Sequence, residues 1–264
     1  MSVWLSGSPY EAYVGRWSRP VAQELLSWPA VAPGKRWLDV GCGTGALTET
    51  ILRLADPAAV VGADASDGFI GYARVYIKDA RATFQVADAQ HLPFADAAFD
   101  AVVSGLMLNF LPDPAQGLRE MVRVARAGGI VAVYVWDYAG EMQLMRHFWD
   151  AAAMLDPAAI ELDEGRRFPI CQREPLAARF RDAGLEDIEV RAIDVPTVFR
   201  DFDDYWLPFL GAQGPAPSYT MSLPEERRAA LREQIRAGLP VAADGTISLT
   251  ARAWAARGKV RRRR

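Results

Sequence analysis

The feature that most constrains this chain is a glycine turn at residues 41–45, Gly-Cys-Gly-Thr-Gly. It follows the short run Trp37–Val40 and precedes a helix-like stretch that begins at Ala46. This order predicts a strand, a tight turn and a helix. Glycine permits a positive φ angle and lets a ligand approach the backbone closely, and a helix N-terminus adds free N–H groups and a positive dipole end. The turn therefore predicts a site for a nucleotide-like ligand.

The spacing of the three glycines narrows the class of ligand. Gly41, Gly43 and Gly45 follow a G-x-G-x-G pattern, which is one residue shorter than the dinucleotide fingerprint G-x-G-x-x-G. The shorter turn favours a nucleoside ligand without a pyrophosphate. A nicotinamide dehydrogenase is the alternative, but none of the three lysines has a tyrosine four positions earlier, so a Tyr-x-x-x-Lys pair is absent.

Composition limits the function classes further. A chain of 264 residues, 51% hydrophobic and 24% charged, is predicted to be one α/β domain, 1–264, with a substantial insertion. Its net charge of −3 gives no general attraction to nucleic acid. The two cysteines, Cys42 and Cys171, are too few for a zinc cluster, so no metal site is expected, and they favour a cytoplasmic location. No signal peptide and no membrane span of about 20 apolar residues is expected.

The hydrophobic pattern alternates between strand-like and helix-like segments. Strands are predicted at 36–41, 59–64, 83–87, 99–104 and 130–136, and helices at 18–28, 45–54, 66–80 and 114–126. Buried strands separated by helices predict a doubly wound parallel sheet that is covered on both faces. Ligands of such sheets bind at the carboxyl ends of the strands, where the glycine turn, Asp64, Asp88, Ser104 and Trp136-Asp137 fall.

Two carboxylates at strand ends are candidate ligand contacts. Asp64 follows Gly43 by 21 positions, and a carboxylate there can accept hydrogen bonds from both ribose hydroxyls. The alternative is that Asp64 only caps the following helix. Asp88 can accept from an adenine amine while the Ala89 N–H donates to the ring, or it can be an ordinary turn residue. Phe69 could stack on the base or belong to the core.

Together these segments resemble the class I S-adenosylmethionine (SAM)-dependent methyltransferases, in particular the ubiquinone/menaquinone-biosynthesis type. The resemblance covers about 35–137, and its motifs are Leu-Asp-Val-Gly-Cys-Gly-Thr-Gly at 38–45, Val-Gly-Ala-Asp-Ala-Ser at 61–66, Ala-Asp-Ala at 87–89, Leu-Pro-Phe at 92–94, Phe-Asp-Ala-Val-Val-Ser at 99–104, and Glu-Met-Val-Arg-Val at 120–124 before Gly128-Gly129. It implies a Rossmann-like seven-stranded sheet whose last strand is antiparallel, supplied here by 187–195 and 247–256.

The resemblance also implies a division of the single domain. We expect an N-terminal helical cap at 1–34, a SAM-binding core at 35–137, and helical substrate-lid insertions at 138–173 and 196–245. The basic tail at 257–264 is expected to be disordered.

The family pattern assigns roles to the matching positions. The methionine end of SAM is expected on Asp39, Gly41, Cys42, Gly43 and Gly45, the ribose on Asp64 and Ala65, the adenine on Asp88, Ala89 and Phe69, and the floor beneath the sulfonium on Ser104 and Leu106. Tyr13 and Arg16 resemble a segment that folds over the cofactor in related enzymes, with Arg16 on the SAM carboxylate. A surface helix is the equal alternative.

Methyl transfer does not always need a general base, but four residues are candidates. They are His91, His147, Asp137 and Tyr134, of which the two histidines are predicted as the catalytic residues. His91 could instead cap a turn, and His147 could be structural. Aromatic residues at 199–209 would suit an apolar or planar acceptor, or they could form the core of a lid.

The predicted function is SAM-dependent methylation of a small molecule at an O, N or C atom. Nucleic-acid methylation is disfavoured because residues 104–107, Ser-Gly-Leu-Met, replace the Asn/Asp-Pro-Pro-aromatic motif, and because neither cysteine follows a proline. The remaining alternative is a protein that binds SAM without methylating, such as a cyclase or a regulatory subunit.

Overall fold

The protein is described here by a computed structural model, which covers residues 15–28, 31–211 and 214–262. One mixed sheet organises these residues, with strand order β3-β2-β1-β4-β5-β7-β6. The strands are β1 Arg36–Val40, β2 Ala59–Asp64, β3 Ala82–Val86, β4 Phe99–Gly105, β5 Ala125–Trp136, β6 Leu185–Phe199 and β7 Ile247–Val260. Strands β1 to β5 are parallel, and β7 runs antiparallel to both β5 and β6. The predicted seven-stranded sheet with an antiparallel last strand is confirmed.

Ten α-helices and three 3₁₀ segments surround the sheet in the described part of the chain. The helices are α1 Arg16–Ser27, α2 Ala46–Leu54, α3 Asp67–Tyr76, α4 Pro114–Val124, α5 Gln143–Leu155, α6 Glu164–Arg167, α7 Arg173–Asp182, α8 Phe202–Trp206, α9 Pro215–Ser222 and α10 Glu225–Gly238. The 3₁₀ segments are Leu108–Phe110, Pro157–Leu162 and Leu207–Gly211. Among the described residues, no helix has the length and apolar character that crossing a membrane requires.

The central strands are buried on both faces, which is why their sequences read as continuous apolar runs. Ala101, Val102 and Val103 of β4 are fully buried, as are Val131 and Val133 of β5. Helices that cover both faces of a parallel sheet produce this pattern. The result is that the carboxyl ends of β1, β2, β4 and β5 meet at one edge, where the chain leaves each strand through a loop.

Local signals explain where the helices begin. Ser66 caps α3 by accepting a hydrogen bond from the Phe69 N–H at 3.3 Å. Asp113 caps α4 by accepting from the Gln116 N–H at 3.0 Å, with a proline as the first helical residue. The first helix was predicted from residue 18, but α1 already begins at Arg16, and the Ser18 hydroxyl donates to the Gly15 carbonyl at 2.7 Å.

The two last strands are longer than predicted. They pair along most of their length, and β7 continues to Val260, so the disordered tail expected from residue 257 is wrong for 257–260. Cross-strand ion pairs stabilise this extension: Arg257 lies 2.5 Å from Glu189, and Lys259 lies 2.8 Å from Asp187. Opposite charges on facing strands favour pairing. The sequence shows the basic residues of the tail, but it does not show that acidic residues of β6 face them.

The two segments expected to form a lid pack against each other through aromatic side chains. Phe148 of α5 stacks on Phe209 with ring centroids 4.6 Å apart. The buried Tyr205 hydroxyl of α8 donates to the Leu144 carbonyl at 2.8 Å. This aromatic core includes Phe199, Phe202 and Trp206, which are at most 8% exposed. The aromatics at 199–209 therefore form the interior of the helical layer.

A glycine of β2 provides a test of the packing at the sheet. A Cβ atom on Gly62 would lie 2.6 Å from Cδ1 of Phe84 and 3.0 Å from Sγ of Cys42. We expect Gly62→Ala to lower the free energy of unfolding by about 1–3 kcal/mol in urea titrations, because the buried neighbours must shift. Gly71 is the matched control, since it lies in α3 with no atom within 4 Å of an added Cβ. Gly71→Ala should raise the free energy of unfolding by about 0.5–1 kcal/mol. Equal effects of the two substitutions would contradict the close packing around Gly62.

Candidate cofactor and active site

A cavity of about 460 Å³ lies at the carboxyl ends of the central strands. Its wall contains most of the residues that the sequence placed there. These are Asp39, Gly41, Cys42, Gly43, Asp64, Ala65, Phe69, Asp88, Ala89 and Leu106. Residues separated by more than sixty positions therefore converge, as expected for a parallel sheet whose chain crosses over between strands.

The glycine turn has the backbone conformation that its sequence predicts. Gly41, Gly43 and Gly45 have φ angles of 71°, 52° and 92°. A Cβ on Gly43 would meet no atom within 4 Å, so the turn presents bare backbone to open space. Gly45 has a different role, because it is the N-cap residue of α2 and does not line the cavity. A Cβ atom on Gly45 would lie 2.3 Å from Cδ1 of Ile77.

Asp64 joins the end of β2 to the glycine turn. Its Oδ2 accepts a hydrogen bond from the Gly43 N–H at 3.0 Å, and its Oδ1 accepts from the Ser66 N–H at 2.8 Å. Burial raises the pKa of this carboxyl group, while the two backbone bonds oppose that rise. Asp64 therefore orders the turn and lines the cavity, whereas the cap of the following helix is Ser66 and not Asp64.

Asp39 is a buried carboxyl group with one unfilled oxygen. Its Oδ2 accepts from the Thr48 hydroxyl at 2.7 Å, whereas its Oδ1 has no hydrogen-bond partner. The side chain is fully buried, and burial raises its pKa to about 7. An orphaned carboxylate oxygen in a cavity wall is suited to a cationic N–H donor. The amino group at the methionine end of SAM is such a donor.

Asp88 and Ala89 occupy the end of β3. The Asp88 Oδ1 accepts from the Gln90 N–H at 2.8 Å, and this bond lowers the pKa of the carboxyl group. His91 lies 3.3 Å from the other oxygen, and its side chain is 79% exposed. The Asp88 carboxylate is therefore ionised and oriented at the cavity edge, which suits it to accept from an exocyclic amine.

The end of β4 brings a strained residue to the cavity. Leu106 has a φ angle of +60°, and its N–H donates to the Tyr134 carbonyl at 2.8 Å. Positive φ in a branched residue is costly and is concentrated at functional sites. A Cβ on Gly105 would lie 2.5 Å from the Tyr134 hydroxyl oxygen, so this glycine makes room for the phenol. Ser104, which was expected to line the floor, is buried and does not line the cavity.

One side of the cavity is apolar and aromatic, and most of its residues were missed from the sequence. They are Met107, Phe110, Leu111, Tyr134, Trp136 and Tyr138. Tyr134 was named from the sequence only as a candidate general base, and Trp136 only as a residue at the carboxyl end of the fifth strand. Phe110 gives no such signal, since it lies in a 3₁₀ segment after β4. Phe168 supports this wall from behind, 5.2 Å from the Phe110 ring centroid. Ser18 and Thr44 also line the cavity and were missed.

Several predicted site residues are not brought to the cavity. Arg16 forms an ion pair with Asp204 at 3.1 Å and does not line the cavity. His91 is exposed, and His147 is half-buried on α5, where burial lowers its pKa. Asp137 accepts from the Glu141 N–H at 3.0 Å and holds the turn before α5. Tyr13 lies outside the described residues.

Comparisons with known proteins identify the class. The family model described as "Methyltransferase domain" matches residues 38–133. Methyltransferase GfsG of Streptomyces halstedii is 32% identical over 208 residues, which cover 75% of this chain and 71% of that protein. The 2-methyl-6-phytyl-1,4-hydroquinone methyltransferase of Synechocystis is 31% identical over 185 residues, or 69% of this chain and 57% of that protein.

Solved structures show the same fold. YcgJ protein from Bacillus subtilis superposes with a TM-score of 0.61 at 18% identity, over 92% of this chain and 99% of that one. Phosphoethanolamine N-methyltransferase 2 of Haemonchus contortus, solved with S-adenosyl-L-methionine, gives a TM-score of 0.58 at 19% identity, over 94% of this chain and 53% of that one.

The fold, the glycine turn and the relatives thus define a class I SAM-dependent methyltransferase. The chain belongs to this methyltransferase family, and its cofactor is SAM. Its matches to demethylmenaquinone and ubiquinone/menaquinone methyltransferases span 37–43% of the chain. The structure fits this cofactor, because Gly43 presents bare backbone and Asp39 presents an unfilled acceptor in the same cavity.

The raised pKa of Asp39 predicts a pH dependence of stability in the absence of SAM. An ordinary aspartate loses its proton near pH 3.8, whereas folded Asp39 holds it until about pH 7. The folded state therefore binds more protons between these values, and its stability falls as the pH rises from about 4 to 7, by at most ~4 kcal/mol.

We expect the melting temperature of the native protein to fall more between pH 5 and pH 8 than that of Asp39→Asn, which cannot ionise. Differential scanning calorimetry without SAM measures both. The same fall in the two proteins would show that Asp39 does not titrate in this range.

Proposed function

We propose that this enzyme methylates a small, planar and largely apolar molecule. SAM, when bound, supplies an electrophilic methyl group on a sulfonium. The observation that supports the class of acceptor is the apolar wall of Phe110, Trp136, Tyr138 and their neighbours, which lines the same cavity as the glycine turn. Aromatic walls bind planar apolar molecules and leave few polar groups to satisfy a charged one.

The proposed roles of the cofactor-site residues follow from their places in the wall. Asp39 would hold the amino group of SAM, and Gly43 would admit its methionine end against bare backbone. Asp64 would accept from the ribose hydroxyls through lone pairs that its two backbone bonds leave available. Asp88 and Ala89 would bind the adenine. Each of these groups is already held by the protein, so little reorganisation is needed on binding.

The apolar wall would align the acceptor and exclude water from it. Alignment of two bound reactants can supply several kcal/mol of the acceleration, so a general base is needed only for an acceptor that must lose a proton. His91 and His147 do not line the cavity. The hydroxyl groups on the acceptor side are those of Tyr134 and Tyr138, and these are the groups that would contact a polar substituent of the acceptor.

The names of two relatives support a ring-shaped acceptor. One is the hydroquinone methyltransferase of Synechocystis, and another is a demethylmenaquinone methyltransferase of Clavibacter sepedonicus, 41% identical over 107 residues. The matched parts are 57% and 43% of those proteins, so the substrate of this enzyme is a proposal. A cytoplasmic location is proposed as well, since Cys42 and Cys171 are both free thiols.

Transfer of radiolabelled methyl groups from SAM tests the acceptor class. We expect label in demethylmenaquinol or a prenylated hydroquinone and none in phosphoethanolamine, because none of the described residues that line the cavity is a lysine or arginine that could hold a phosphate. Transfer to phosphoethanolamine alone would contradict the proposal. Tight binding of SAM with no transfer to any ring compound would favour a protein that does not methylate.

Substitution of Asp64 tests the cofactor site. Asp64→Ala removes a charged acceptor and releases the Gly43 N–H, so we expect the dissociation constant for SAM to rise about tenfold to a hundredfold. Isothermal titration calorimetry measures the change. Asp67→Ala is the matched control, because Asp67 lies three residues later, is exposed and does not line the cavity. Equal affinities of the two variants for SAM would show that Asp64 does not contribute to SAM binding.

A further inference from the structure

The loop 87–98 joins β3 to β4 and carries Asp88 and Ala89 at its beginning. Much of it is exposed, and a loop of this kind would ordinarily be mobile. Its internal backbone bonds are two short turns, from the His91 N–H to the Asp88 carbonyl and from the Phe94 N–H to the Leu92 carbonyl. Side chains of α4 supply five further hydrogen bonds to the loop.

Arg123 of α4 uses every guanidinium N–H in this region. Its Nε and one Nη2 hydrogen donate to the two carboxylate oxygens of Glu120 at 2.7 and 2.8 Å. The other Nη2 hydrogen donates to the Leu92 carbonyl at 2.9 Å. The two Nη1 hydrogens donate to the Phe94 carbonyl and to Oδ1 of Asp96, both at 2.8 Å. The planar fork of arginine provides these five donors, and a lysine ammonium cannot reproduce them.

Glu120 completes the arrangement. Its Oε2, which already pairs with Arg123, also accepts from the Leu92 N–H at 2.8 Å. Both backbone groups of Leu92 are therefore bonded to this one ion pair. The side chains of Glu120 and Arg123 are 12% and 31% exposed, so the pair is partly shielded from water and salt.

The start of α4 holds the loop nearer to Asp88. The Asp113 N–H donates to the Gln90 side-chain carbonyl at 2.9 Å, and the Gln116 amide donates to the Gln90 backbone carbonyl at 3.1 Å. Gln90 in turn donates its N–H to Asp88. A continuous set of hydrogen bonds thus connects α4 to the carboxylate at the cavity edge.

We propose that Glu120 and Arg123 are positioning residues that set the adenine end of the SAM site by fixing the loop behind Asp88 and Ala89. The inference rests on the proposed binding of adenine by those two residues. Neither Glu120 nor Arg123 lines the cavity, so they act through the loop. Their loss should weaken recognition of the base more than it weakens recognition of the amino-acid end.

Two ligands measured by calorimetry separate these effects. S-adenosylhomocysteine carries the adenine amine, and S-inosylhomocysteine has a carbonyl oxygen in its place, which Asp88 cannot accept from. We expect the native protein to favour the adenine compound at least tenfold. Arg123→Lys should raise the dissociation constant for S-adenosylhomocysteine about tenfold and reduce the preference severalfold. A loss of global stability alone would not change that preference.

Arg126→Lys is the matched control. Arg126 lies three residues further along and forms its ion pair with Asp100, at 2.5 Å, instead of with the loop 87–98. It should leave both constants within twofold of native. Glu120→Gln keeps the charge on Arg123 and places an amide beside the Leu92 N–H. It should therefore reduce the preference for the adenine compound, as Arg123→Lys does. This second variant keeps the proposal testable if Arg123→Lys fails to fold.

Asp88→Ala distinguishes failure of the positioning role from failure of the site. If Asp88→Ala abolishes the preference while Arg123→Lys and Glu120→Gln behave like Arg126→Lys, the positioning role is wrong and the proposed adenine site stands. If Asp88→Ala leaves the preference unchanged, the adenine site itself is misplaced and the positioning role falls with it. Reduced preference in all three variants supports the proposal.

Discussion

The carboxylate of Asp64 is the contact on which the rest of the site depends. It binds the N–H groups of Gly43 and Ser66, and it thereby holds the turn after β1 against the start of α3. It adds to the backbone bonds that Gly41 and Cys42 donate to the Ala63 carbonyl, and together these bonds offset the conformational entropy that the glycines lose on folding. The same residue lines the cavity, so the group that orders the turn is also part of the cavity wall.

The sheet and the cofactor half of the cavity could be predicted because their signals are local. Continuous apolar runs give the strands, and glycines or carboxylates immediately after them give the turn, Asp64 and Asp88. Topology then brings these strand ends together without any need to know the packing. The last two strands were placed correctly but cut short, since Arg257 and Lys259 look like a solvated tail until their partners Glu189 and Asp187 are known.

The acceptor half could not be predicted in the same way. Phe110 and Tyr138 reach the cavity through irregular backbone, and the aromatics at 199–209, which seemed suited to an acceptor, are buried against α5. Arg16 was a candidate for the SAM carboxylate, but it pairs with Asp204, a residue 188 positions away that nothing in the sequence marks as its partner. Contacts between side chains that are distant in the sequence depend on the tertiary packing, which cannot be inferred from a single sequence.

Asp39 links ligand binding in the cavity to the stability of the folded protein. A buried carboxyl group whose oxygen lacks a hydrogen-bond partner destabilises the folded state, and a bound cation that donates to this oxygen reduces the destabilisation. Any ligand that prefers the folded chain protects it by mass action. The cellular supply of the sulfonium nucleoside is therefore expected to govern how much of this enzyme escapes proteolysis, in addition to how fast it works.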